Sequence, residues 1–366
     1  MLNITIPTLL LDRKRCLRNI EKMAEKAKLS GAQLRPHLKT SQSLGVAAWF
    51  ESFGVSAVTV SSLRMAKYFA DGGWSDITVA FPVNILEAPL IETLATNVRL
   101  NILVESTESL IYLGEHIHNP VNVFIKIDIG YHRTGVAYQD VTKIEAILDT
   151  LASYRFFQFK GFLTHAGHTY KITSAEEAQH IYKNHLAALT QLKNQFAKNY
   201  PDLILSYGDT PSCSMLEKLE GVDELRAGNF VFYDLMQYQI GACRLEDIAV
   251  AVACPVVALH PERSEIVVYG GGVHFSKDQL LHPNGHVYYG RVVTLDNDTW
   301  HIPAQESYMK SLSQEHGIIK ASPDLMAKTK VGDILAVLPV HSCMTADLMP
   351  YYQTLDGERI DIWDKK

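Results

Sequence analysis

The residues with chemical potential in this chain are a lysine, a set of histidines beside a tyrosine, and a histidine–cysteine pair. The segment RPHLKTS places Lys39 after a short apolar run. Desolvation lowers a lysine's pKa and makes its amine a Schiff-base nucleophile; a solvated lysine at a strand end fits the same pattern. The segment SYGDTPSCSM joins Gly208, which allows close backbone approach, to the hydroxyls of Thr210 and Ser212 where a helix starts near Pro211. Hydroxyls beside free helix amides make a phosphate cradle, although Asp209 or Thr210 as an ordinary N-cap explains the same residues. ELRAGNFVFYD adds Gly228 and Asn229. A Schiff-base lysine and a phosphate cradle together point to pyridoxal 5′-phosphate, PLP.

KIDIGYHRTGV supplies Arg133, which either faces such a cofactor or forms a surface ion pair, and THAGHTY supplies His165, His168 and Tyr170. Histidines at a site rim are acid–base candidates, and structural histidines read the same way. In VLPVHSCMTADLM, His341 and Cys343 stand two residues apart. On a strand they share a face, which permits joint metal coordination. Imidazole plus thiolate suits zinc better than magnesium or manganese, and with two protein ligands the remaining positions fall to water and substrate. Cys16, Cys213, Cys243 and Cys254 show no ligand spacing and read as core thiols.

These residues need a frame, and the chain's periodicity predicts one. Strands are expected at 32–38, 55–60, 76–81, 98–104, 121–128, 160–165, 203–207 and 222–226, with helical stretches between them such as 63–70, 85–95, 141–151 and 175–198. VNVFIKI and DITVAF are nearly continuous apolar runs, as strands covered on both faces require. Eight βα repeats predict an α/β fold, a (β/α)8 barrel, whose catalytic groups sit at the strand ends. From about residue 243 the texture becomes short β runs separated by turn clusters, which predicts a mostly antiparallel β domain. The expected division is 12–242 for the barrel, with 1–11 and 243–366 for the β domain.

The chain has 366 residues, 47% of them hydrophobic, with 34 Lys and Arg against 40 Asp and Glu. That balance argues against a nucleic-acid partner and against disorder. The longest apolar stretch, 248–259, holds Pro255 and is too short to span a bilayer. The apolar N-terminal residues precede the basic ones, the reverse of a secretory signal, and five scattered cysteines make no disulfide framework. The expectation is a soluble cytoplasmic protein.

With PTLLLDRKRCLRNI, RPHLKT, KIDIGYHRTGV, HAGHTY, YGDTPS, ELRAGNFVFYD, QEHGI and PVHSC taken together, the chain resembles the D-serine dehydratase and D-threonine aldolase group of PLP enzymes, relatives of alanine racemase. The resemblance implies an alanine racemase-like barrel whose N-terminal strand folds into the C-terminal β domain, and a homodimer. It makes Lys39 the PLP lysine and base, aligns Arg133 and Tyr170 with the cofactor lining, and aligns Gly208, Thr210, Gly228 and Asn229 with the phosphate cup. Arg226 falls where such enzymes set an arginine against the pyridine nitrogen, and His341 and Cys343 fall on a zinc-type metal pair. The aldolases carry His and Asp there, so Cys343 favours the dehydratase branch: a lyase for D-β-hydroxy amino acids giving keto acid and ammonia. Two features depart from the pattern. Ser41 follows RPHLKT where the aldolases and many relatives have histidine, and His168 matches the aldolase-type GH pair rather than the GN of the dehydratases, and would serve as the base in Cα–Cβ cleavage. A racemase and a non-catalytic PLP carrier are the remaining alternatives, and Glu315 and His316 have no assigned role.

Overall fold

The computed structural model describes residues 3–282, 284–296 and 298–364. The chain forms two compact units, one of Lys22–Lys39 and Phe50–Gly228, the other of Met1–Glu21, Thr40–Trp49 and Asn229–Lys366. The outermost residues of the expected β domain, 1 and 366, lie outside the described ones.

The first unit is built on eight parallel strands: β1 (Gln33–Leu34), β2 (Val58–Val60), β3 (Asp76–Pro82), β4 (Arg99–Val104), β5 (Val121–Asp128), β6 (Phe157–Leu163), β7 (Ile204–Tyr207) and β8 (Glu224–Leu225). From β2 to β8 each strand pairs with the next, and β8 pairs with β1. A parallel bridge between His37 and Thr59 closes the ring, with the Leu38 N–H donating to the Thr59 carbonyl at 2.8 Å. This is the predicted barrel. The end strands are shorter than expected because the chain leaves the ladder at Arg35 and after Leu225 to form the loops of the mouth.

Local signals set the helices. Ser62, Ser106, Asp140 and Ser174 each accept an N–H from the first turn of the helix that follows, satisfying donors that helix ends leave unpaired. On β6, Gly161 has φ +147°, and a Cβ there would collide with the Ile204 backbone, so only glycine lets β6 and β7 pair. The seam between β1 and β8 is electrostatic. Arg35 is buried and donates to Glu224 at 2.8 Å and to Asp76 at 2.6 Å, while the Ser206 hydroxyl donates to the second Glu224 oxygen at 2.8 Å.

The second unit is a mostly antiparallel sheet, as expected. The N-terminal strand Thr8–Leu11 lies inside it, antiparallel to Val250–His260 and parallel to Tyr351–Thr354. Its apolar side packs with Ile248, Trp300, Ala336 and Leu338 around Leu10. Arg15 anchors the start of helix Arg13–Leu29 by bonding the carbonyls of Ile248 and Trp300 at 3.0 and 2.7 Å. One expectation fails here: His341 and Cys343 do not share a strand. The strand Ile334–Pro339 ends first, His341 is the N-cap residue of helix Ser342–Leu348, and Cys343 lies in that helix's first turn. Among the described residues, no helix is long and apolar enough to cross a membrane.

Candidate active site

The loops after β1, β5, β6, β7 and β8 bring cations around two imidazoles. Lys39 occupies a turn after β1 and its side chain is exposed; the apolar run before it does not bury it, contrary to the desolvation expected, because the chain turns outward at Leu38. Its N–H lies 3.4 Å from His37 Nδ1. Packing holds the His37 pKa well below the usual imidazole range, and Lys39, Arg226, His165 and Arg133 push the same way. His165 Nδ1 donates to the Gly208 carbonyl at 2.8 Å. Burial, against that bond, takes its pKa down to about 3, with Arg133, Lys126 and Arg226 adding to the fall. Both rings are therefore neutral near pH 7.

Lys126, on β5, is buried; burial first, then Arg226 and Arg133, lowers its pKa to about 7. Arg226 is pinned by its Nε to the Ser206 hydroxyl at 2.7 Å and by Nη2 to the Thr164 carbonyl. Burial lowers its pKa to about 10, so it stays cationic. Arg133 is exposed and lies 5.6 Å over the Tyr131 ring. Tyr170 sits in the short helical turn Gly167–Lys171, with its ring 6.2 Å from that of His165.

The segment after β7 begins a helix at Thr210, capped by Asp209, whose carboxylate accepts from the Ser212 N–H at 2.7 Å and the Thr169 hydroxyl at 2.8 Å. Burial raises the Asp209 pKa to about 6. The ordinary N-cap is thus real, yet the buried Thr210 hydroxyl has no partner among the described residues. Gly208 packs against the Arg226 backbone so closely that a Cβ would lie 2.8 Å from it. Gly228 is buried and ends this unit.

His168 is placed apart from these cations. It lines a cavity of about 300 Å³ with Ile129, Tyr138, Asn184 and His185, its ring 5.2 Å from that of His185 and 5.3 Å from that of Tyr131.

In the other unit a second group gathers around Cys343. The sulfur lies 3.3 Å from the Thr40 hydroxyl and 3.5 Å from Asn229 Nδ2. Asn229 also donates to the buried Asp234 at 2.7 Å and meets the Ser342 hydroxyl at 3.0 Å. Its carboxamide thus serves the Cys343 side. Burial would raise the Cys343 pKa, but its hydrogen bond with His341 and the Thr40 contact bring it below the usual thiol value. His341 rises to about 9: burial lowers it, and Cys343, Asp234 and Asp278 outweigh that. Among the described residues, no three His, Cys, Asp or Glu side chains stand close enough to hold a metal together. The protein would therefore offer two ligands.

Sequence reasoning singled out Lys39, Arg226, His341 and Cys343 but passed over His37, Lys126, Asp234 and Asp278. A signal existed for Lys126, a cation inside the apolar run VNVFIKI; none marked Asp234 or Asp278.

The family described as "Alanine racemase, N-terminal domain" matches residues 11–235, and "Putative serine dehydratase domain" matches residues 249–355. D-threo-3-hydroxyaspartate dehydratase of Delftia sp. (strain HT23) is 31% identical over 100% of this chain and 98% of its own length. This chain belongs to the alanine racemase N-terminal domain family, within its D-serine dehydratase group. The family's D-serine dehydratase from Dictyostelium discoideum is 30% identical, covering 97% of this chain and 94% of its own. The solved structure of the Delftia enzyme aligns with a TM-score of 0.90 over 100% of this chain and 99% of that one, at 30% identity. Related structures of that enzyme carry a His→Ala change and, two positions further on, a Cys→Ala change described as metal-free. A 3-hydroxy-D-aspartate aldolase from Paracoccus denitrificans, 26% identical over 98% of this chain and 91% of its own, represents the other activity in the family.

Proposed function

We propose that this chain is a PLP- and metal-dependent lyase that eliminates water from D-β-hydroxy amino acids, giving a keto acid and ammonia. The observation that carries the reading is the His341–Cys343 pair. His341 is the N-cap residue of the helix whose first turn holds Cys343, the sulfur lies 3.3 Å from the Thr40 hydroxyl, and Thr40 directly follows Lys39 in the chain. The substituted histidine and cysteine of the Delftia enzyme have the same spacing.

The residues fit both groups. The Thr210 hydroxyl is buried without a partner among the described residues, as a phosphate site requires, and Arg226 is a buried cation that suits a ring nitrogen. A nitrogen beside a sulfur whose pKa is held down suits a borderline metal such as zinc. Bound PLP supplies an electron sink for charge released at Cα, and the metal supplies Lewis acidity for the departing hydroxyl.

In this assignment Lys39 would hold the cofactor through its amine and would serve as the base toward the Cα proton. Its exposed position in a turn leaves the amine free to swing between these duties. Arg226, fixed on Ser206 and Thr164 and cationic, would address the ring nitrogen. Arg133 and Tyr170 would line the ring, Thr210, Gly208, Gly228 and the Asn229 backbone would receive the phosphate, and His341 and Cys343 would hold the metal. The resemblance further implies a homodimer, and the sequence's composition a cytoplasmic protein.

The test is a product-resolved assay of purified protein with PLP and zinc on D-serine, D-threo-3-hydroxyaspartate and D-threonine, with the L-isomers as controls. Keto acid plus ammonia, lost on chelation and restored by zinc, is the expected result. Glycine plus an aldehyde would place the chain with the aldolases, and turnover that survives chelation would remove the role of His341 and Cys343.

A further inference from the structure

The metal-binding histidine has a dedicated carboxylate behind it. Asp278 Oδ2 lies 3.2 Å from His341 Nδ1, although 63 residues separate them. The carboxylate is itself held in place: the Ser276 hydroxyl donates to the same Oδ2 at 2.9 Å, and the Asp278 N–H donates to the Ser276 oxygen at 3.1 Å. A carboxylate oxygen only accepts, so the proton of this contact sits on Nδ1. Nε2 is then the ring atom left for a metal, which would displace the proton that the raised pKa keeps there. The sulfur of Cys343 has its own supports in Thr40 and in Asn229, which Asp234 fixes.

We propose that Asp278 is a positioning residue of the metal pair, fixing the tautomer and ring orientation of His341 so that Nε2 and the Cys343 sulfur address one ion. This rests on the metal reading above. With two protein ligands instead of three or four, each ligand's orientation carries a larger share of the affinity, and a mobile His341 would leave Cys343 alone. Partners of this kind raise the basicity of a ligating imidazole, and removing one weakens metal binding by about 10- to 100-fold.

The experiment compares wild type, Asp278→Ala, Asp278→Asn, Ser276→Ala, His341→Ala and Cys343→Ala. Zinc content is measured after equilibration against graded chelator, and the sulfur-to-metal absorption is recorded after cobalt(II) substitution. Asp278→Ala is expected to bind zinc about 10- to 100-fold more weakly and to shift the cobalt spectrum. Asp278→Asn is expected to recover part of the affinity, because its carboxamide oxygen still accepts from Nδ1. Ser276→Ala should show a smaller loss and gives an answer even if the Asp278 variants misfold. Wild-type zinc affinity in Asp278→Ala, with binding lost in His341→Ala, overturns the proposal and leaves the metal pair intact. Wild-type affinity in both His341→Ala and Cys343→Ala overturns the metal reading itself, and the proposal with it.

Discussion

Replacing Arg35 with leucine should loosen the barrel where its first and last strands meet, and the structure sets the size of the effect. Arg35 and Glu224 are both almost fully buried and bonded at 2.8 Å. Without the guanidinium, Glu224 keeps one hydrogen bond, from Ser206. Asp76 keeps Arg99 at 3.3 Å and Asn101 at 3.0 Å. The stranded charge is therefore Glu224, and breaking a buried pair by removing one partner costs about 3–5 kcal/mol. For a barrel of this size that corresponds to a melting-point drop of roughly 6–20 °C. Changing Glu224 to leucine as well should recover most of the loss, since apolar replacement of both partners is often close to neutral. The cycle should give a coupling energy of at least about 2 kcal/mol between the two positions. The seam also matters to the site, because Lys39 lies four residues beyond Arg35 and Arg226 two beyond Glu224. Arg35→Leu should therefore release PLP faster on dilution, as read from visible absorbance. Denaturant melts of the four proteins decide the matter. A single-variant cost below about 1 kcal/mol, or a double variant less stable than either single one, would refute the reasoning.

Lys126 predicts a pH dependence. Its pKa falls from 10.5 to about 7 in the folded chain, so between those values the unfolded state binds more protons and stability rises with pH. The penalty is complete below pH 7 and has vanished by about pH 10.5. Its upper limit is about 5 kcal/mol, from 3.5 pKa units at 1.36 kcal/mol each. Lys126→Met should therefore stabilise the cofactor-free protein most at pH 6 and flatten its profile; urea melts from pH 6 to 10 with parallel curves for both proteins would exclude this. His165, neutral down to about pH 3, should leave no limb in the pH–rate profile above pH 5. His165→Asn should therefore weaken PLP retention without moving the profile, and a profile shifted by the change would contradict the geometry.

Much of this protein is legible in its sequence because the signals are local. Continuous apolar runs such as Val121–Asp128 can only be strands covered on both faces, and β5 forms over those residues. Ser, Asp and Pro at helix starts mark caps, and the helices at 63, 141 and 175 begin where those residues stand. Lys39, His341 and Cys343 drew notice because they sit in short motifs of unusual composition, and Arg226 through the family resemblance alone. The sequence could not show the secondary structure around His341, because the choice between a continuing strand and a helix start depends on the bonds from the Ser342 N–H and hydroxyl to Asp234, 108 positions earlier. Nor could it show that Asn229 turns its carboxamide to Cys343, or that His168 faces His185 while His165 joins the cations. The Arg35–Glu224 seam spans 189 residues and the His341–Asp278 contact spans 63. Periodicity and capping act over a few residues and so survive in a string of letters. Which polar atoms meet across a closed barrel or a sheet depends on where the chain returns, and that is decided only when the apolar core and strand register fix every backbone at once.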